Sequence, residues 1–355
     1  MAYTTIDDPS VYFQTQLYSS SGGGGTISVT NGGNSDLQPD WLWIKVRNGS
    51  NDHNIFDSSR GFQFRTWSNQ ASAENEGASV SVSSDGFATG TGWGDINNTS
   101  GANNYVAWQW KANGGTTTTN DASSTGIGSI DSVYQANTTA GFSIVTYTGT
   151  GSTATVAHGL GGVPDMLIFR KRSANDNAYI YHKQLTNDYY LAWETTGARN
   201  NDVNIWNDTD PTSTVFSIAN AGVHANGATM VCWAFKAIKG YSRFGMYRGN
   251  GAADGTFVFT GFKPAWIMIK EYGGNTNDYN IYDNKRSPIN PMDHILEANL
   301  SDAEGTGRAD IDFLSNGFKQ RNTHADSNRD GGDFLYMAFA EHPFASSKGV
   351  PTTAR

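Results

Sequence analysis

The chain has 355 residues, among them 41 Gly, 10 Trp and a single Cys; only 16% are charged, and the formal net charge is −9. One cysteine excludes an intramolecular disulfide framework and a cysteine-based zinc cluster, and the acidic balance argues against a duplex nucleic acid as ligand. The longest apolar runs, WLWI at 41–44 and WIMI at 266–269, fall far short of the ~20 residues that cross a bilayer.

The first ten residues, MAYTTIDDPS, carry neither a basic segment nor an apolar stretch, so they read as a polar arm and not as a secretory signal. Beyond them a set of landmarks occurs three times. A proline opens a compact apolar run in Pro39-Asp40-Trp41-Leu42-Trp43-Ile44, in Pro164-Asp165-Met166-Leu167-Ile168-Phe169 and in Pro264-Ala265-Trp266-Ile267-Met268-Ile269. Proline is tolerated at a strand start, and a near-continuous apolar run suits a strand buried on both faces. Tyr18, Tyr147 and Tyr247 precede these prolines by 21, 17 and 17 residues, and each leads into a Gly/Ser-rich turn. The aromatics of Ile55-Phe56-Asp57, Ile180-Tyr181-His182 and Ile281-Tyr282-Asp283 follow by 17, 17 and 18 residues. Tyr105-Val106-Ala107-Trp108, Met230-Val231-Cys232-Trp233 and Tyr336-Met337-Ala338-Phe339 follow by 66, 66 and 72, after turn signals at Asp85-Gly86-Phe87, Ala221-Gly222-Val223 and Asn316-Gly317-Phe318.

A repeated order of landmarks is the signature of homologous modules. Short aromatic strands between Gly/Asn turns read as β-structure. The expectation is an all-β fold of three tandem antiparallel β-sandwich modules, jelly-roll or lectin-like. The expected boundaries are an N-terminal arm at 1–11, modules at 12–113, 141–240 and 241–345, a linker or arm at 114–140 and a tail at 346–355. Within the linker, 127–134 is expected to pair as a strand. The second and third modules are expected to pack as one unit. The best helical candidate is 292–300.

No nucleophile elbow, P-loop or dinucleotide fingerprint occurs, and no pair of the seven histidines has zinc-ligand spacing. Asp326-Ser327-Asn328-Arg329-Asp330-Gly331 opens like a calcium loop, but Met337 stands where the closing bidentate Glu belongs, so a plain turn is expected. Asp302 with Glu304, and Asp310 with Asp312, read as solvated surface. No catalytic residue, cofactor or metal is expected. Trp41, Trp43, Trp108, Trp110, Trp193, Trp233 and Trp266 lie in strand-like runs and are expected in the core, as is Cys232. Trp93 and Trp206 lie in polar loops and are the candidate ligand-stacking aromatics. Tyr3, Ile6 and Tyr12, in and beside the arm, are the candidate docking residues.

The stretches MAYTTIDDPSVYFQ, AGFSIVTYTGTGSTATVAHGLGGVPDMLIFRKR, FVFTGFKPAWIMIK, IYDNKR, DFLSNGF, YMAFAEHPF and GVPTTAR together resemble a family of repetitive, tail-fibre-like virion proteins of tailed bacteriophages infecting marine cyanobacteria and related bacteria. The resemblance covers nearly the whole chain. It implies a non-enzymatic component of the particle surface, assembled in the host cytoplasm beside other virion proteins, with no membrane insertion. A tail fibre or attachment protein recognising a host-surface glycan or protein receptor is the first expectation. A capsid decoration or head/neck fibre docked through its arms is the second. A fibre role would need trimerisation through the modules or through a partner, because no heptad stripe or collagen repeat is present.

Overall fold

The structure is a computed structural model and describes residues 2–20, 22–219 and 221–352. The fold is all-β and antiparallel. Helix among the described residues is confined to single turns, at Pro9–Val11, Ala122–Thr125, Lys183–Leu185, Ala221–His224 and Ala325–Asn328. No helix forms at 292–300. There Met292 bridges to Ile311, Ile295 bridges to Gly305, and Leu296–Glu297 adds a short strand, so the apolar residues of that segment serve β-pairing.

The same four strands recur in the same lateral order. An edge strand (Phe13–Ser19, Phe142–Thr148, Ser242–Arg248) pairs with a closing strand (Asn104–Trp110, Thr229–Phe235, Asp333–Pro343). The closing strand pairs in turn with the proline-led core strand (Trp41–Val46, Met166–Lys171, Phe262–Glu271), and the core strand with a hairpin strand (Asn54–Asp57, Tyr179–His182, Tyr279–Asp283). Pairing register fixes which residues correspond. Trp41, Met166 and Trp266 are equivalent, because each lies opposite the matching hairpin residue, Asp57, His182 or Asp283. Tyr18, Tyr147 and Tyr247 also fall at one position.

Two landmarks are corrected by this register. Trp108 and Trp233 correspond to Met337, two residues before Phe339, which is the counterpart of Trp110 and Phe235. The third core strand is irregular on both sides of Pro264, but the two register shifts cancel, and Trp266 to Glu271 pair without a break against Phe339 to Phe334. The turn equivalent to Gly86-Phe87 and Gly317-Phe318 is Val215-Phe216, whereas 221–224 is a helical turn.

Each large sheet is covered on its outer face by a small one. These are Ile27–Val29 with Gly86–Thr89 and Val80–Ser83; Ala154–Ala157 with Val215–Ile218; and Phe257–Phe259 with Gly317–Gln320 and Ile311–Leu314. A separate apolar cluster fills each interval, around Leu42 and Phe87, Phe169 and Phe216, and Ile267 and Phe318. The inner faces of all three large sheets converge on one further core. It holds Trp41, Trp43, Trp108, Trp110, Trp193, Trp233 and Trp266, as expected from their strand-like settings, together with Phe13, Phe142, Phe235, Phe244 and Phe339. Core strands are therefore buried on both faces, which is why they read as continuous apolar runs. The aromatic rings meet mostly edge-on or tilted, as their quadrupoles favour: Trp110 lies perpendicular to Trp266 at 5.6 Å, and Trp43 is T-shaped to Trp193 at 5.0 Å.

Residues 114–140 are neither free linker nor arm. Thr118–Asn120 and Ser132–Asn137 extend the second large sheet beyond its edge strand. The segment is anchored by buried Asp40, whose carboxylate accepts N–H bonds from Ala112, Gly114 and Gly115 at 2.7–2.9 Å. The second and third repeats do pack together, but through the central core that the first shares equally.

Candidate functional site

The contacts between repeats run in one rotational sense, first onto third, second onto first, third onto second. Lys45, Arg170 and Lys270 occupy the same core-strand position, and each sends its charge across the boundary. Lys45 Nζ donates to the Ser301 carbonyl at 3.1 Å, Arg170 to the Ser72 carbonyl at 2.9 Å, and Lys270 Nζ to the Thr196 carbonyl at 2.8 Å. Burial pushes the Lys45 and Lys270 ammonium groups down to about 8, although nearby carboxylates oppose the shift.

Beside these cations lies a second repeated set. Trp233 Nε1 donates to Asp57 at 3.1 Å, and Trp108 Nε1 to Asp283 at 3.0 Å. Each aspartate is paired with a buried arginine three residues on, Arg60 at 2.6 Å and Arg286 at 2.5 Å. Those arginines reach Glu74 and Glu304 respectively. The same glutamates pair across the boundary with Arg172 and Arg47, each at 2.8 Å. The third boundary replaces the whole set. Met337 stands for Trp, His182 for Asp and Leu185 for Arg; Arg199 stands for Glu and lies 5.4 Å from the Tyr272 ring. The backbone bond persists through the exchange, from Glu304, Glu74 and Arg199 N–H to the carbonyls of Arg47, Arg172 and Tyr272.

The Asp57–Arg60–Glu74 and Asp283–Arg286–Glu304 charges are paired with one another inside the fold, whereas His182, Lys270 and Met337 of the third boundary line a small, mostly apolar cavity with Met166, Met268 and Tyr279. Glu304, expected at the solvated surface, belongs to this boundary network. Asp310, also expected there, is fully buried, paired with Arg308 and bonded to the Tyr282 hydroxyl at 3.0 Å. Two histidines of the interior have both ring nitrogens occupied. His53 accepts from Trp43 Nε1 at 2.8 Å and meets the Glu297 carbonyl at 3.0 Å, and burial holds it well below the usual imidazole range. His158 is pushed down to about 4 by burial while bridging Leu160 N–H and the Thr212 carbonyl.

The loop at 326–331 starts as a helical turn. Asp326 is held by Arg308 at 2.8 Å, and Asn328 is spent on backbone carbonyls. Among the described residues no group of three or more His, Cys, Asp or Glu could hold a metal ion.

The two candidate stacking aromatics are not brought together. Trp206 is a correction: it is 2% exposed, donates Nε1 to the Tyr189 carbonyl at 3.0 Å and packs on Phe169 and Tyr181. Its polar sequence neighbours fold around it because the ring completes the second outer core. Trp93 stays half-buried, but Arg65 lies over its ring at 3.5 Å and is held there by Asp95.

The arm residues are a second correction. Tyr3 donates to the Gly261 carbonyl at 2.8 Å, Ile6 enters the central core and Tyr12 packs edge-on against Tyr241. The tail joins them, with Ser347 bonded to Asp7. Apolar surface on the chain's own third repeat thus takes up the segment expected to dock elsewhere; residues 353–355 lie outside the described set.

What the surface retains is grooves. One of about 590 Å³ runs along the third edge strand and is lined by Tyr3, Lys183, Lys239, Arg243, Met246 and Phe259 among others, with no carboxylate in its lining. No membrane-crossing helix is found among the described residues.

Fold and surface together define an all-β scaffold of three repeats closed on a shared aromatic core. The chain belongs to the family described as domain of unknown function DUF7483, which matches residues 8–343. No curated protein matches it.

Proposed function

We propose that the protein is a surface component of a tailed-bacteriophage particle, a tail fibre or attachment protein that recognises a host-surface glycan or outer-membrane receptor. Three tandem β-sandwich modules of jelly-roll or lectin-like type form its body, its neighbours are other virion proteins, and it has no enzymatic role or cofactor. The sequence resemblance supplies the setting. The observation that carries the reading is the closure of three repeats around one core. A single chain thereby presents three loop sets on a rigid base, the arrangement that raises avidity from weak sites. The alternative, a decoration protein docked through its arms, is less well supported, because both arms are bound to the chain's own third repeat.

The test is competition. Purified full-length protein added to host cells before phage should slow adsorption in a dose-dependent way, and particle reconstructions should place its density on the tail. Density at capsid capsomers together with undiminished adsorption would overturn the attachment reading.

A further inference from the structure

The edges of the three large sheets are treated differently. In the second repeat the edge is covered: Gln135 and Val133 of the inserted strand pair with Ile144 and Thr146. In the third repeat the strand at the same position, Ser242–Arg248, has the closing strand as its sole strand neighbour among the described residues. Its hydrogen-bonding frame is fixed at both ends, by Ala340 N–H to the Tyr241 carbonyl and Gly249 N–H to the Gly332 carbonyl. Antiparallel alternation then turns the N–H and C=O groups of Phe244 and Met246 outward. These are the positions that Ile144 and Thr146 use to bind the inserted strand.

An open edge is a template for another strand, and proteins usually blunt it. This one is set in the 590 Å³ groove. Exposed Met246 and Phe259, 54% and 48% accessible, offer apolar contact beside it. Lys239 and Arg243 are exposed, lie over the Tyr3 and Phe259 rings at 4.5 and 5.8 Å, and form no ion pair among the described residues. Lys183, a third cation of the groove, is paired with Asp165. In a chain of net charge −9 this is a local excess of positive charge. The pocket beside the first repeat's edge is lined by Glu341 as well as Lys285, so it lacks that one-signed character.

We propose that the free edge of Ser242–Arg248 is a β-augmentation site that accepts an extended, acidic segment of a partner protein as an added strand. Main-chain bonds to Phe244 and Met246 would supply the affinity, as is general for strand addition. Lys239 and Arg243 would select acidic side chains and repel a second copy of the same edge. The inference stands independently of where on a particle the protein sits.

The experiment uses the full-length protein and a fluorescein-labelled ten-residue peptide in which Val and Thr alternate with Glu and Asp. Saturable binding is expected by anisotropy, together with slowed hydrogen exchange at Phe244 and Met246. Met246→Pro removes an outward N–H that the fold does not use, and it should abolish binding. Lys239→Glu combined with Arg243→Glu should weaken binding at least about tenfold, as expected for lost charge complementarity. If Met246→Pro fails to fold, the charge-reversed protein and the exchange pattern decide. The proposal is overturned by absence of saturable binding, or by binding that Met246→Pro leaves intact. It is equally overturned if an oligouronate binds as tightly and insensitively to Met246→Pro, or if Phe244 and Met246 are already protected in a peptide-free dimer.

Discussion

Arg60 shows how far a single side chain reaches. It neutralises Asp57, contacts Glu74 and lies against the Trp233 ring at 5.6 Å, all in the interior. Removing one member of a buried ionic set leaves its partners charged and unpaired. Arg60→Leu should therefore destabilise the protein by about 3–5 kcal/mol, read from the shift in urea midpoint. The third boundary predicts the compensation, since Leu185 is buried there three residues after His182. Adding Asp57→His and Glu74→Arg to Arg60→Leu should recover part of the loss, and a triple variant no better than the single would refute this coupling.

His182 carries a pH signature of its own. Burial, reinforced by neighbouring Lys183, pushes it down to about 3. The unfolded chain then binds the extra proton between its ordinary value of ~6.5 and the folded value, so stability falls as pH drops through that window. His182→Gln should flatten the dependence of stability on pH by up to about 1.4 kcal/mol per pH unit between 6 and 4. An unchanged slope would mean that His182 is not buried in neutral form. The sequence marked Asp57, His182 and Asp283 as equivalent landmarks but not what they do, because the Trp233–Asp57 bond spans 176 positions.

At the scale of strands, much was legible. Proline-led core strands, edge strands with a tyrosine near their end before a turn, and seven core tryptophans follow from local pattern, since a strand buried on both faces can only be apolar. The misread closing strand of the third repeat has a physical cause: side chains alternate with period two, so a slip of two residues keeps every side chain on its face. Only the pairing of Trp266–Glu271 with Phe334–Phe339 reveals it. The arms and Trp206 were misread because polar neighbours disguise a residue that long-range packing buries.

The edge and closing strands also exchange volume. Val145 faces Cys232 in the second repeat, whereas Gly245 faces Tyr336 in the third. A Cβ on Gly245 would sit 2.6 Å from the Tyr336 hydroxyl oxygen and 2.8 Å from its ring, so Gly245→Val is overpacked and should cost about 1–3 kcal/mol. Tyr336→Cys alone should also destabilise, by leaving a cavity. The double variant recreates the second repeat's pair, and its loss in urea unfolding should be smaller than the two single losses added. Simple additivity would show that the two positions do not share one space.

Closure matters most for the whole molecule. Each boundary is heterologous, one surface of a repeat meeting a different surface of the next, and such contacts form a ring only when the rotation closes. Here it closes after three steps within one chain, so the Lys45, Arg170 and Lys270 contacts leave no open end. Two ionic boundaries and one of different composition also distinguish the repeats, which opposes pairing in the wrong order. The shared aromatic core makes the ring the unit of stability. The intact chain should unfold in one calorimetric transition with matching van't Hoff and calorimetric enthalpies. A fragment of residues 141–345 would lose Trp41, Trp43, Trp108 and Trp110 from that core and leave Trp233, Trp266 and Phe339 facing water. It would also strip Asp283 of its indole donor and Glu304 of Arg47. It should bind a hydrophobic dye and show no cooperative melt. A fragment that melted sharply and bound no dye would mean that the outer cores suffice and that the ring is an assembly of independent domains.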